Sequence, residues 1–164
     1  MPMTHLQDLQ ELMSSIRNQR LEDGKKGDAL VKQFLSELRE AEVKISKGEG
    51  SRWNDNHYRL EQGEAGVEVS LHGSGVGSRE GWWSVGMNYV NRVERWGGRS
   101  GVVFLTPEKR YWVDVCNFFR IAGDETKDGR HHVQLADLEK SPSSVNQFSS
   151  VQEFLSISGL RSLP

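Results

Sequence analysis

Apolar residues recur every three or four positions in two stretches near the N-terminus, which is the spacing of an amphipathic helix. The first stretch predicts a short helix over residues 5–19. The second predicts a longer helix from about Asp28 to Glu42, followed by a strand at VKIS, residues 43–46. Between the helices, EDGKKG at residues 22–27 carries two glycines and is typical of a turn. The chain is therefore expected to begin with two separate helices.

The pattern changes to alternation of apolar and polar residues in the middle of the chain. Three short segments show it, HYRLE at 57–61, GVEVSL at 66–71 and WWSVG at 82–86, and glycine-rich turns separate them. They predict three strands joined as a meander or as successive hairpins. The segment MNYVNRVERWG at 87–97 returns to helical spacing and predicts a helix that ends at its glycine.

Two strongly apolar runs follow, GVVFLT at 101–106 and YWVDVCNF at 111–118, and they predict an antiparallel hairpin around the turn PEKR. The segment RHHVQL at 130–135 predicts a last strand, and SSVQEFLSI at 149–157 predicts a closing helix with a serine N-cap. The hairpin residues expected in the core are Val103, Leu105, Trp112 or Val113, and Phe118.

Helical and strand-like segments are mixed along the chain, which predicts an α+β fold with a central mixed β-sheet of about five to six strands flanked by helices. A length of 164 residues fits one domain, 1–164. Within it, residues 1–22 are interpreted as an N-terminal helical extension, 23–120 as an α-β-β-β-α-β-β core, and 121–164 as a C-terminal strand and helix.

The formal net charge of −2 gives the protein no overall positive field. Any contact with nucleic acid would use local patches of cations, and a protein that coats DNA through bulk charge is excluded. The single cysteine, Cys116, lies in an apolar run and is expected to be a small buried thiol, so no cysteine-based metal site can form. No apolar run reaches the length of a membrane span, and we expect a cytoplasmic protein.

The strand at residues 66–72 carries polar residues that suggest chemistry, because Glu68, Ser70 and His72 share one of its faces. The chain resembles the restriction-endonuclease-like, or PD-(D/E)xK, superfamily, in the branch related to Holliday-junction resolvases and some homing endonucleases. Three stretches carry the likeness: KKGDALVKQFLSEL, HYRLEQGEAGVEVSLHG with this strand, and the segment from GWWSV to VNRVERWGGRSGVVFLTPEKRYWV. The likeness covers roughly residues 24–118, with EVS at the position of the Glu-x-Lys motif. It implies a nuclease-like fold that acts on DNA or RNA.

The resemblance also implies a metal site. In the superfamily, two carboxylates on adjacent strands hold Mg²⁺, and the lysine of the motif stabilises developing charge. Glu68 stands at the second carboxylate position, whereas Ser70 replaces the lysine and cannot supply its charge. His72 could replace the missing base, because imidazole titrates near neutrality. The alternative is that Glu68 is an ordinary exposed glutamate on the solvent face of an amphipathic strand. The candidate catalytic residues are Glu68, Asp28 and Glu61, and the candidate metal ligands are Glu68 and Asp55.

Arginine and tryptophan residues suggest a nucleic-acid interface. Arg79 lies on a glycine-rich loop next to Trp82 and Trp83, which combines a cation for phosphate with rings on which bases can stack. One of the two tryptophans is expected in the core, since adjacent strand residues point to opposite faces. Plain packing of the tryptophans, and arginines that complement a helix dipole, are the alternatives. The candidate nucleic-acid-binding residues are Arg79, Trp82, Arg92, Arg95, Arg99, Lys109 and Arg110.

The sequence thus predicts a nucleic-acid-binding protein with a degenerate nuclease-like fold and at most weak Mg²⁺-dependent cleavage. The resemblance implies a mobile-element or defence context. The alternative is a non-enzymatic protein-interaction module, because the order of elements also resembles the small acidic chaperones of secretion effectors, which normally act as dimers. A homodimer is expected in either case. Adjacent His131 and His132 point to opposite faces of their strand and are not expected to share a metal ion.

Overall fold

The computed structural model describes residues 5–48, 56–74, 82–86, 100–122 and 129–161. Helices and strands alternate along this part of the chain. In chain order, its elements are α1 (His5–Glu40), β1 (Lys44–Lys47), β2 (His57–Gln62), β3 (Ala65–Gly73), β4 (Trp82–Gly86), β5 (Ser100–Leu105), β6 (Arg110–Asp114), α2 (Val115–Ile121), β7 (Arg130–Gln134), α3 (Leu135–Glu139), β8 (Asn146–Phe148) and α4 (Val151–Ile157).

A mixed sheet of six strands, in the order β1-β2-β3-β5-β6-β8, forms the centre of the described structure. Strands β1, β2 and β3 pair antiparallel, β3 and β5 pair parallel, and β5, β6 and β8 pair antiparallel. The predicted α+β class with a mixed sheet of five to six strands flanked by helices is confirmed. The predicted meander is wrong in one respect, because β4 pairs with β7 in a separate two-stranded sheet and not with β3.

Helix α1 is one continuous helix, so the two helices and the turn predicted at residues 22–27 are wrong. Gly27 serves a different purpose there. It is buried where α1 crosses the end of β3, and a Cβ atom at this position would lie 2.7 Å from the carbonyl oxygen of Gly73. The glycine therefore permits close packing of helix on strand, and the helix continues through it at the usual modest propensity cost.

Apolar side chains cover both faces of the central sheet. On one face, Val67, Val69 and Leu71 of β3 pack with α1 and α4. On the other face, Val102 and Phe104 of β5 pack beneath the β4–β7 sheet, α2 and α3. Because successive strand residues point to opposite faces, the alternation along each strand divides its side chains between the two cores. The hairpin residues expected in the core, Val103, Leu105, Trp112, Val113 and Phe118, are all buried.

Strand β6 is shorter than predicted, because the chain turns into helix α2 after Asp114. The Asp114 carboxylate accepts a hydrogen bond from the Asn117 backbone N–H at 2.9 Å, which is the geometry of an N-cap. Phe118 still enters the core from this helix. Cys116 lies on the exposed side of the helix, so the predicted buried thiol is wrong.

The C-terminal part follows the sequence pattern with two additions. Strand β7 and helix α4 are confirmed, and the Ser150 side chain caps α4 by accepting from the Glu153 backbone N–H. The short elements α3 and β8 were not predicted. His131 is buried and His132 exposed, which confirms that they point to opposite faces. The helix predicted at 87–97 lies outside the described residues. Among the described helices, none is long and apolar enough to cross a membrane.

The aromatic centre of the first core gives a test of the packing of α1. Phe34 is fully buried against Phe148 and Phe154, with ring centroids 5.8 and 5.2 Å away. We predict that Phe34→Ala lowers the free energy of unfolding by about 3–5 kcal/mol, measured by chemical denaturation. The exposed neighbour Gln33, changed to alanine, is the control and should alter it by less than about 0.5 kcal/mol. A loss below about 1 kcal/mol in Phe34→Ala would contradict this packing.

Candidate functional site

Polar side chains of the neighbouring strands β2 and β3 form a row on the face of the sheet opposite α1. Strand β3 contributes Glu68, Ser70 and His72 to it, and β2 contributes Arg59 opposite Glu68 and His57 opposite Ser70. The row is buried at its centre, where Glu68 is only 5% exposed. The alternative in which Glu68 is an ordinary exposed glutamate is therefore wrong: β3 has a strand on each side and packing on both faces.

The Glu68 carboxylate is held by two basic side chains of β2. Its Oε2 lies 3.0 Å from His57 Nε2, and its Oε1 accepts a hydrogen bond of 3.1 Å from Arg59 Nη1. The Arg59 Nε atom donates a 2.7 Å hydrogen bond to Glu61, so one guanidinium joins two carboxylates. These bonds, with Glu61 first and Glu68 second, raise the pKa of Arg59 above its usual value. Glu68 thus belongs to an ion-pair cluster of residues 57, 59, 61 and 68.

This cluster does not fit Mg²⁺. Divalent hard cations need several oxygen ligands, which carboxylates commonly supply. Here the Glu68 oxygens are bound to nitrogen donors, and the guanidinium of Arg59 separates Glu68 from Glu61. Within the described part of the chain, no group of three or more histidine, cysteine or acidic residues could hold a metal ion. The arrangement is that of a neutralised carboxylate.

The other predicted carboxylates are Asp28, Asp55 and Glu61. Asp28 is exposed on α1, directly after the glycine that packs against the end of β3. Its joint action with Glu68 stays a prediction. Asp55 lies outside the described residues. Glu61 is joined to Glu68 through Arg59.

Ser70 and His72 form a second polar pair further along β3. The Ser70 Oγ and His72 Nε2 atoms lie 2.5 Å apart, and the His72 ring packs against Phe104 with a centroid distance of 6.1 Å. Burial, with a smaller contribution from the positive charge of Arg130, lowers the pKa of His72 to about 4. The imidazole is therefore neutral near pH 7, and its lowered pKa makes it a weak base there. The expectation that His72 acts as a base titrating near neutrality is not met, because burial and the charge of Arg130 lower its pKa.

The structure places only some of the predicted nucleic-acid-binding residues. Lys109 is paired with Glu139 at 3.1 Å, and Arg110 donates to Glu37 of α1 across 3.2 Å. Other candidate residues lie outside the described part of the structure, namely Arg79, Arg92, Arg95, Arg99 and the side chain of Trp82. Trp83 is buried against Phe104, with a centroid distance of 4.9 Å, so the expectation that one tryptophan lies in the core is confirmed.

Sequence reasoning missed His57 and Arg59, although a signal for them was present. The β2–β3 hairpin turns between Gln62 and Ala65, which pair directly with each other. Counting outward from that turn sets Arg59 opposite Glu68 and His57 opposite Ser70. Directly opposed charged residues on one face interact, so the hairpin register alone indicates an ion pair.

Comparison with known proteins gives a likeness in structure. No protein-family model matches the sequence, and no curated protein matches it either. The structure is similar to that of Hjc, a Holliday junction resolvase from the archaeal hyperthermophile Archaeoglobus fulgidus. The two are 12% identical, with a TM-score of 0.49, and the match covers 84% of this chain and 99% of the resolvase. At this level the likeness does not assign the chain to a family.

The ion-pair cluster predicts that removing the two carboxylates bonded to Arg59 lowers the free energy of unfolding by different amounts. Glu68→Ala leaves the buried His57 without this partner, and we expect a loss of about 1–3 kcal/mol in the free energy of unfolding. Glu61→Ala is the matched control, because it removes an exposed partner of the same guanidinium and should cost less than about 1 kcal/mol. Chemical denaturation at pH 7 measures both. Equal losses would contradict the buried role of Glu68.

Proposed function

We propose that the protein binds nucleic acid through a restriction-endonuclease-like domain whose active-site carboxylate has become structural. The observation that carries this proposal is the pairing of Glu68 with His57 and Arg59. Glu68 is the glutamate that the resemblance aligns with the Glu-x-Lys motif, and its two oxygens are occupied by cationic or neutral nitrogen groups. Both oxygens of this carboxylate already have nitrogen partners within the protein, so we do not expect metal-dependent cleavage.

The strand order supports the proposal. Strands β1 to β3 form an antiparallel unit, and β5 then adds parallel to β3, so that β3 becomes an interior strand. The resemblance assigns its motif to this strand. Ser70, at the lysine position, is turned toward His72 and is only 5% exposed. Both positions of the motif are therefore committed to contacts within the protein.

Binding is proposed to use the arginines that sequence analysis selected. Arg79 precedes β4 in the chain, and Arg92, Arg95 and Arg99 lie between β4 and β5. Ser100, the residue after Arg99, pairs with Glu68 in the register of β3 and β5. Arg99 is therefore the sequence neighbour of a strand that flanks the cluster. Lys109 and Arg110 are left out of the proposed interface, since carboxylates of the protein already hold them.

For binding, we predict that Arg79→Ala weakens nucleic-acid affinity and lowers the salt dependence by about one counterion, because one phosphate contact is lost. A mobility-shift series over DNA, RNA and branched junctions at several salt concentrations measures this. Lys140→Ala, which removes an exposed cation at the end of α3, is the control and should leave affinity unchanged. Equal affinity of folded Arg79→Ala and the natural protein at every salt concentration would place the contact elsewhere.

For catalysis, we predict no Mg²⁺-dependent cleavage by the natural protein or by Ser70→Lys alone. His57 lies on β2 opposite Ser70, so His57→Asp combined with Ser70→Lys would place a second carboxylate and a lysine beside Glu68. We expect this double variant to cleave bound nucleic acid more than tenfold faster with Mg²⁺ than without it.

The control for this test is the same double variant with Glu68→Gln added, which keeps the shape of the side chain and removes its charge. It should be inert, and circular dichroism should confirm that each variant folds. Mg²⁺-dependent cleavage by the natural protein, lost in Glu68→Gln, would contradict the proposal. If the double variant folds but cleaves none of the nucleic acids that the natural protein binds, the proposal that Glu68 is a former nuclease carboxylate is contradicted.

A protein-interaction module is the second candidate function, and one observation favours it. The N-terminal half of α1 exposes a series of large apolar side chains. Such surfaces usually mark a binding site for another protein. The two functions are compatible, since the polar row and this part of α1 involve different residues.

A further inference from the structure

The N-terminal half of α1 carries an uncovered apolar stripe. Its five side chains are between 45% and 65% exposed, although each is large and hydrophobic. Every side chain described between residues 5 and 18 is exposed, so this part of the helix has no cover from the rest of the described chain. Isolated apolar residues are common on surfaces, whereas a continuous row of this size indicates a contact. The stripe consists of Leu6, Leu9, Leu12, Met13 and Ile16.

The stripe continues the face that α1 turns toward the core. Eighteen residues make five turns of an α-helix, so residues that far apart point in the same direction. Met13 is eighteen residues before Val31, and Ile16 is eighteen residues before Phe34. Val31 and Phe34 are buried in the core. The apolar residues of the two described segments of the helix thus point in the same direction, and those of the C-terminal segment are covered by the core.

The spacing of the stripe suits a second helix. Leu6, Leu9, Met13 and Ile16 are separated by three, four and three residues, which is the a/d pattern of a coiled-coil seam. The central positions beside that seam are uncharged, being Gln10 and Leu12, so two copies can approach without repulsion there. The pattern spans about two heptads, or roughly 20 Å of helix.

Charge argues for a protein occupant over a polyanionic one. Residues 5–18 contain two carboxylates, Asp8 and Glu11, and one guanidinium, Arg17, which gives a net charge of −1 with histidine neutral. Helices that bind anionic membranes are rich in lysine and arginine, and nucleic acid also requires positive charge. A second copy of the same segment offers an apolar stripe of matching length and spacing.

The area is sufficient for a specific contact. Five large side chains that each expose about half of their surface present roughly 500 Å² of apolar area, which two copies would raise to on the order of 1,000 Å². This is close to the lower limit for a specific interface, so we expect a dimer of moderate affinity. We propose that residues 5–18 of α1 are a self-association surface, on which the same segment of a second copy packs as a two-helix coiled coil.

Analytical ultracentrifugation of the full chain over a range of concentrations tests the proposal. The natural protein should dimerise, and Leu9→Glu with Met13→Glu should raise the dimer Kd on the order of a hundredfold or more, because two charges enter an apolar seam. Gln7→Glu with Ser14→Glu is the control: it adds the same charge to the outer side of the same helix and should leave the Kd within about threefold of the natural value. Thermal unfolding should show that both variants remain folded.

Disulfide cross-linking locates the contact in the same protein. Cys116 is exposed and is first changed to serine. Single cysteines at Leu9, Met13 or Ile16 are then oxidised, with Ser14→Cys as the control on the outer side. We expect a covalent dimer from at least one seam position and none from Ser14→Cys.

A natural protein that stays monomeric at several hundred micromolar would overturn the proposal, as would a dimer that is unaffected by Leu9→Glu with Met13→Glu. Cross-linking at Ser14→Cys alone would also overturn it. If the monomer bound vesicles of anionic lipid through the stripe, the occupant would be a membrane surface and the self-association surface would be wrong.

Discussion

Strand β3 lies between two other strands and under packing on both of its faces, so each polar group on it must find a partner inside the protein. Its apolar residues meet this constraint by packing against α1 and α4. Glu68 meets it through His57 and Arg59, and Ser70 meets it through His72. The polar row is therefore a requirement of the fold as much as a candidate site, and its members depend on one another.

The energetics of this row differ from one end to the other. Glu68 and His57 are both almost fully buried, so their contact is made at a high desolvation cost and is strongly destabilising to break. Arg59 keeps nearly half of its side chain in water, which preserves much of its hydration and weakens its attraction for Glu68. A guanidinium that is partly hydrated and bonded to two carboxylates neutralises the cluster without the precise oxygen cage that a divalent cation requires.

Periodicity predicted most of the strands, because each segment of alternating residues forms one strand of the described structure. It could not predict their partners. Strand β4 follows β3 in the chain but pairs with β7, nearly fifty residues later, and no local pattern encodes that choice. The end of β6 was missed for a local reason, since the cap formed by Asp114 overrides the apolar run that continues to Phe118. The site was half predicted: Glu68 and Ser70 follow from their strand, whereas His57 and Arg59 require the register of the hairpin.

Helix α1 shows that glycine, a residue typical of turns, can also serve close packing inside a continuous helix. The glycines near its middle predicted a turn, yet Gly27 is buried against Gly73, and any larger side chain would push the helix off the strand. Because the helix continues through this contact, the apolar faces of its two halves stay in register, and the exposed stripe remains an extension of the core face. Two separate helices could orient their apolar faces independently and bury both in one core. A single continuous helix cannot do so, and the described part of the chain leaves its stripe exposed.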